Sequence, residues 1–89
     1  MAWKVDLSPV AQRQLDDLHK PIANRILKFL RNRVAKLEDP RQIGERLQGT
    51  LSEFWRYRVG DYRIICSLED ECLVVLVLRM GPRREIYRC

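Results

Sequence analysis

The sequence predicts an α+β domain: a small twisted antiparallel sheet with an N-terminal strand and a two-helix hairpin packed on one face. The predicted order is β-α-α-β-β-β, with room for a short last strand. Three observations carry this. The first residues alternate apolar and polar, the period of a half-buried strand. Residues 9–37 then place apolar side chains at helical spacing. The second half breaks into strand-like runs separated by Gly60-Asp61, Glu69-Asp70 and Gly81-Pro82. Strands and helices segregated along the chain point to α+β rather than α/β architecture. At 89 residues the chain is expected to form a single domain, residues 1–89, with one modest core.

Taken in order, Ala2–Leu7 directs Trp3, Val5 and Leu7 to one face and Lys4 and Asp6 to the other. Ser8-Pro9 is an N-cap followed by proline at the first helical position, so a helix starts here. It runs to about Leu18 and buries Val10, Ala11, Leu15 and Leu18. Lys20-Pro21 ends it and opens a second helix. There Ile22, Ile26, Phe29, Leu30, Val34 and Leu37 share a face, with Arg25, Lys28, Arg31 and Lys36 opposite. Asp39-Pro40 ends this helix, because the residue before proline disfavours the α conformation. Residues 41–50 read as a loop or short strand closing on Leu47-Gln48-Gly49. Phe54–Val59 and Tyr62–Leu68 form a hairpin over Gly60-Asp61, a two-residue turn with glycine first. Cys72–Arg79 is apolar on both faces, as in a central, doubly covered strand. Gly81-Pro82 is expected to break the chain, and Glu85–Arg88 can form a last strand.

The formal charge is +5, with Lys and Arg numbering 17 against 12 Asp and Glu. The excess falls between residues 21 and 60. A basic surface favours nucleic acid, an anionic membrane or an acidic protein as partner. The longest apolar run, Cys72–Leu78, is too short to span a bilayer. MAWKVDLS lacks the pattern of a secretory signal, so reduced thiols and a cytoplasmic location are the expectation. Cys66, Cys72 and Cys89 lack metal-ligand spacing. Cys66 and Cys72 fall in predicted strands and read as small core residues.

The hairpin raises the functional question. A two-residue turn sets Val59 opposite Tyr62, Arg58 opposite Arg63, Tyr57 opposite Ile64 and Arg56 opposite Ile65. Trp55, Tyr57, Val59, Tyr62, Ile64 and Cys66 then share an apolar face that packs on the helices. Arg56, Arg58 and Arg63 gather on the other face, and a slip of one residue would bury them. Arg58 and Arg63 become like-charged cross-strand neighbours, at a cost of a few tenths to ~1 kcal/mol. These two strands carry no acid on that face, so an external anion is the expected partner. Arginine suits phosphate, because its planar fork donates parallel hydrogen bonds. One such arginine is ordinary solvated surface; three on one patch, followed by the basic tail GPRREIYR from Gly81 to Arg88, favour a site. The tail supplies Arg83, Arg84 and Arg88 for phosphate and Tyr87 for stacking on a base.

Leu47-Gln48-Gly49, WRYRVGDYRII, VVLVLRMG and RREIY together resemble the RelE/ParE toxin superfamily of bacterial type II toxin–antitoxin systems. The resemblance covers nearly the whole chain. It implies one of two activities: ribosome-dependent cleavage of messenger RNA in the decoding site (the RelE branch), or inhibition of DNA gyrase by protein binding (the ParE branch). The basic tail closing on tyrosine is similar to the RelE branch. By this resemblance Arg56, Arg58, Arg63, Arg83 and Tyr87 are the expected catalytic set, with Arg84 and Arg88 on RNA. The implied partners are a cognate antitoxin and the ribosome with its messenger, with no membrane, metal or small-molecule cofactor. Two departures stand out. Some relatives carry lysine at the positions of Arg56 and Arg58, and many carry histidine where this chain has Pro82.

Both departures remove groups able to shuttle protons. The only histidine, His19, lies at the helix junction and reads as a surface or capping residue. Arginine is no ordinary base, its pKa exceeding ~12. The chemistry implied by the resemblance is attack of a ribose 2′-OH on the neighbouring phosphate, giving a 2′,3′-cyclic phosphate and a 5′-OH. Arg56, Arg58 and Arg63 would stabilise charge on the phosphate, Arg83 the leaving side, and Tyr87 would stack or relay a proton. Glu85 is a weaker candidate for proton acceptor.

Overall fold

The computed structural model describes residues 3–47, 49 and 53–82. Strand β1 is Lys4–Leu7, helix α1 Pro9–Asp17 and helix α2 Lys20–Phe29. Strands β2 (Glu45–Arg46), β3 (Trp55–Val59), β4 (Tyr62–Glu69) and β5 (Val74–Pro82) follow. They form one sheet in the order β1-β5-β4-β3-β2. Strands β2 to β5 pair antiparallel, as expected, and β1 joins β5 in parallel. The short β2 is the strand left open by the reading of residues 41–50.

Ser8 caps α1 as its sequence suggests, its hydroxyl accepting from the Ala11 amide at 3.0 Å. The same hydroxyl donates to the Leu78 carbonyl at 2.7 Å, tying the start of the helix to β5. Helix α1 lies over β5, and α2 lies over β3. Helix α2 ends earlier than Asp39-Pro40 predicts: it widens at Leu30–Val34 into a π-turn, closed by the Ala35 amide on the Leu30 carbonyl. The wide turn buries Leu30, Val34 and Ala35 together.

The core lies between the helices and one sheet face. It contains Ala11, Leu15, Ile26, Leu30 and Val34 from the helices, and Tyr57, Val59, Ile64, Cys66, Val75, Val77 and Met80 from the sheet. Gly60 supplies the turn with its positive φ of 59°, and the β3–β4 register is the one read from the sequence.

Other expectations change as well, and Val10, expected to be buried by α1, is exposed. Cys72 sits exposed in the β4–β5 turn rather than in a strand, because β5 starts only at Val74. Gly81-Pro82 does not break β5, which pairs with β4 through Pro82. Among the described residues no strand beyond Leu7 covers the outer edge of β5. The Met80 amide on that edge donates instead to Gln14 Oε1 at 2.7 Å. Two residues on, proline's missing N–H costs no ladder bond. Lastly, β5 is central but covered mainly on one face: Val75 and Val77 are buried, Val74 and Leu76 half-buried. The expected strand Glu85–Arg88 lies outside the described residues.

Candidate phosphate-binding site

The hairpin places Arg56, Arg58 and Arg63 on the sheet face away from the core, with Arg58 directly opposite Arg63. Their environments differ. Arg58 is exposed and Arg56 half-buried, whereas Arg63 is 8% exposed. Its Nη1 reaches only the carbonyls of Gly60 and Tyr62, at 3.4 and 3.5 Å. Those lengths lie beyond the usual range for N–H···O bonds. Among the described residues no carboxylate pairs with Arg63, and a buried cation without a counter-charge is unfavourable.

Sequence reasoning missed Glu45. Strand β2 sets it beside Arg56. Its Oε2 accepts from Arg56 Nη2 at 2.6 Å, and its Oε1 lies 3.5 Å from Arg58 Nε. The neutralising acid that the hairpin strands lack is thus supplied by the neighbouring strand. The hydrogen bond from Arg56, and then its charge, hold the Glu45 carboxyl below its ordinary range, and Arg58 and Arg63 add to this. Two-residue β2 is too short for an alternation signal, and no tight turn joins it to β3 to fix a register. The only trace in the sequence is an acid two residues before Leu47-Gln48-Gly49.

Arg79 was missed for another reason. From Val75 and Val77, simple alternation sends residue 79 to the core. The structure pairs Ile65 with Arg79 but Cys66 with Val77, so Leu78 is an extra residue in β5. This bulge turns Arg79 to the arginine face and Met80 to the core. Glu45, Arg56, Ile65 and Arg79 then form one row across four strands, and Arg58, Arg63 and Gly81 the next.

The segment carrying Glu45 is fixed from both sides. The buried Tyr57 hydroxyl donates to the Pro40 carbonyl at 2.8 Å. A Cβ on Gly44 would stand 3.1 Å from the Tyr57 ring, so only glycine allows this approach without displacement. Arg41 pairs with both Asp70 carboxylate oxygens, at 3.0 and 2.7 Å, and lies over the Trp55 ring at 5.8 Å. The hydrogen bond to Asp70 raises the Arg41 pKa and holds the Asp70 carboxyl low. His19 precedes α2 and makes no side-chain capping bond. Arg83, Arg84, Glu85, Tyr87 and Arg88 lie outside the described residues.

Residues 5–87 match the family described as the ParE toxin of the type II toxin–antitoxin system parDE. The chain belongs to that family. The toxin is 28% identical to toxin RelG of Mycobacterium tuberculosis over 88 residues, 99% of each chain. It is 27% identical to toxin RelE of the same organism, over 97% of this chain and 87% of that one. Its fold is similar to a chain of the toxin–antitoxin complex RelBE2 of M. tuberculosis, with a TM-score of 0.84, 25% identity and 96% and 95% of the two chains covered. A chain of the archaeal RelE–RelB complex of Pyrococcus horikoshii gives 0.71, 29%, and 96% and 99%. Both comparisons uphold the α+β architecture and the superfamily read from the hairpin residues. Among the described residues no helix is long and apolar enough to cross a membrane.

Proposed function

We propose that this toxin cuts messenger RNA in the decoding site of the ribosome, by attack of a ribose 2′-OH on the adjacent phosphate. The observation that carries the reading is Arg63, a buried guanidinium with no carboxylate partner among the described residues, directly across from Arg58. A phosphate bridging the two would relieve their repulsion and give Arg63 a directly paired counter-charge, where Glu45 acts on it only through space. As a pentacoordinate phosphorane forms, its added negative charge strengthens these contacts, which is how preorganised donors lower a barrier.

Glu45 changes the chemical inventory of the site. It is a carboxylate held ionised beside two arginines, placed to accept the 2′-OH proton. The proton passes to Glu45, the 2′-oxygen bonds to phosphorus, and the P–O5′ bond breaks, the departing 5′-oxygen taking a proton from water to leave a 5′-hydroxyl. Tyr87 and Arg83 complete the proposed set on the leaving side, with Arg84 and Arg88 gripping neighbouring phosphates. A carboxylate of depressed pKa is a weak base, so the reaction depends on the ribosome to align the 2′-oxygen with the phosphate. The proposed setting is the cytoplasm. There a cognate antitoxin would bind the free toxin and mask the arginine face.

The ParE description of the matched family favours a second reading: inhibition of DNA gyrase through a protein surface, without RNA cleavage. Translation of a defined messenger, with 5′ ends mapped by primer extension, tests the first. Cuts should appear only with ribosomes, and Arg63→Ala should weaken them by ~100-fold or more. Intact messenger beside accumulating gyrase-cleaved DNA would establish the second instead.

A further inference from the structure

Strand β2 pairs with β3 at Glu45↔Arg56 and Arg46↔Trp55. Continued backwards it would set Ile43 against Arg58. Instead the chain folds into a single 3-10 turn, Pro40–Gln42, with the Gly44 amide bonded to the Arg41 carbonyl. Among the described residues the edge of β3 at Arg58 is left open, and a pocket of about 220 Å³ forms there, lined by Phe29, Arg33, Ile43, Glu45, Arg56 and Arg58. It has two unlike walls. Phe29 and Ile43 are half-buried and apolar; Arg33, Arg56 and Arg58 are cationic. Phe29 is fixed by an edge-on contact with the Tyr57 ring, centroids 6.4 Å apart and planes at 61°.

We propose that this pocket is a nucleobase subsite, holding the base of the nucleotide whose ribose supplies the attacking 2′-oxygen. The inference rests on the messenger-cleavage reading and adds the element that would sense sequence. A site for phosphate alone needs no apolar wall. A flat aromatic ligand tethered to a phosphate needs both: a π-face against Phe29 and Ile43, and cations for the phosphate. The volume is smaller than the ~300–1,000 Å³ typical of drug-sized ligands, which suits one ring system rather than a stacked pair. Glu45 lines the same pocket, so a base seated there brings its own ribose beside the proposed proton acceptor. Base preference at one messenger position then follows from the fit against Phe29 and Ile43.

The test is an NMR titration of the full chain with each of the four nucleoside 3′-monophosphates, and with inorganic phosphate. At least one nucleotide should move the Phe29 ring and Ile43 methyl signals saturably, while phosphate moves only arginine signals. Ile43→Phe, which fills the pocket, should weaken nucleotide binding about tenfold and keep the phosphate response. Nucleotide shifts confined to the arginines, or Phe29 and Ile43 shifts reproduced by phosphate, would overturn the inference. The wild-type titration decides this even if the variant fails to fold. A toxin that cuts messenger but whose Phe29 and Ile43 ignore nucleotides loses only the subsite. Nucleotide binding in the pocket without messenger cleavage on ribosomes keeps the subsite and removes the cleavage reading.

Discussion

Glu45 and Arg63 are the two residues on which the site turns, and they differ in kind. Arg63 is a buried charge without a carboxylate partner among the described residues; Glu45 is an exposed charge paired with arginines. Replacing Glu45 by glutamine keeps the shape and removes the proposed proton acceptor. Ribosome-dependent cleavage by Glu45→Gln should fall about 10²–10⁴-fold, with RNA affinity undiminished, since the arginines lose an internal competitor. Single-turnover cleavage and a filter-binding assay check the two halves. The pH dependence of stability has a definite sign. The Glu45 carboxyl is held low by Arg56, so its pairing is fully present above the unfolded glutamate value of about 4.3 and is lost as pH falls through the lower folded value. Asp70, held low by Arg41, acts in the same direction. Thermal unfolding followed from pH 7 to 2 should therefore show an acid loss that is shallower in Glu45→Gln. The effect is small, because the carboxylate is exposed.

At the scale of elements, legibility followed signal length. The capped start of α1, the hairpin register and the arginine face are readable, because each rests on a local rule: Ser-Pro at a cap, a two-residue turn, strict alternation. Glu45 and Arg79 were hidden because a two-residue strand has no period and a bulge breaks parity. The end of β5 was misread because Gly-Pro punctuation yields where a strand edge has no partner to lose. The segment 40–46 illustrates how a fixed element serves a site. Its anchor, the Tyr57 hydroxyl on the Pro40 carbonyl, is buried. Tyr57→Phe leaves that carbonyl without its partner, a cost of about 1–3 kcal/mol. Urea denaturation should show the loss as a lower midpoint with an unchanged slope.

At the scale of the molecule, two zones of positive charge stand out among the described residues. One is the arginine face. The other spans residues 20–36, where Lys20, Arg25, Lys28, Arg31, Arg33 and Lys36 are all exposed and no acid interrupts them. Arg33 lines the pocket beside Arg56 and Arg58, so the two zones meet. A polyanion bound across them releases counterions, and its affinity should fall steeply and log-linearly with salt. For a single-stranded RNA the slope of log affinity against log salt should drop by about 0.7 when one phosphate contact is removed in Arg63→Ala. Fluorescence anisotropy at several salt concentrations measures this.

The chemistry of the RNA ends decides the proposed cleavage. Programmed ribosomes with a defined codon in the decoding site would be treated with the toxin and with Arg63→Ala, and the fragments analysed for terminal chemistry. Attack by the 2′-OH leaves a 2′,3′-cyclic phosphate on the upstream fragment and a 5′-hydroxyl downstream, and both should be lost in the variant. Uncut messenger with well-folded toxin, or fragments bearing a 3′-hydroxyl and a 5′-phosphate, would contradict it.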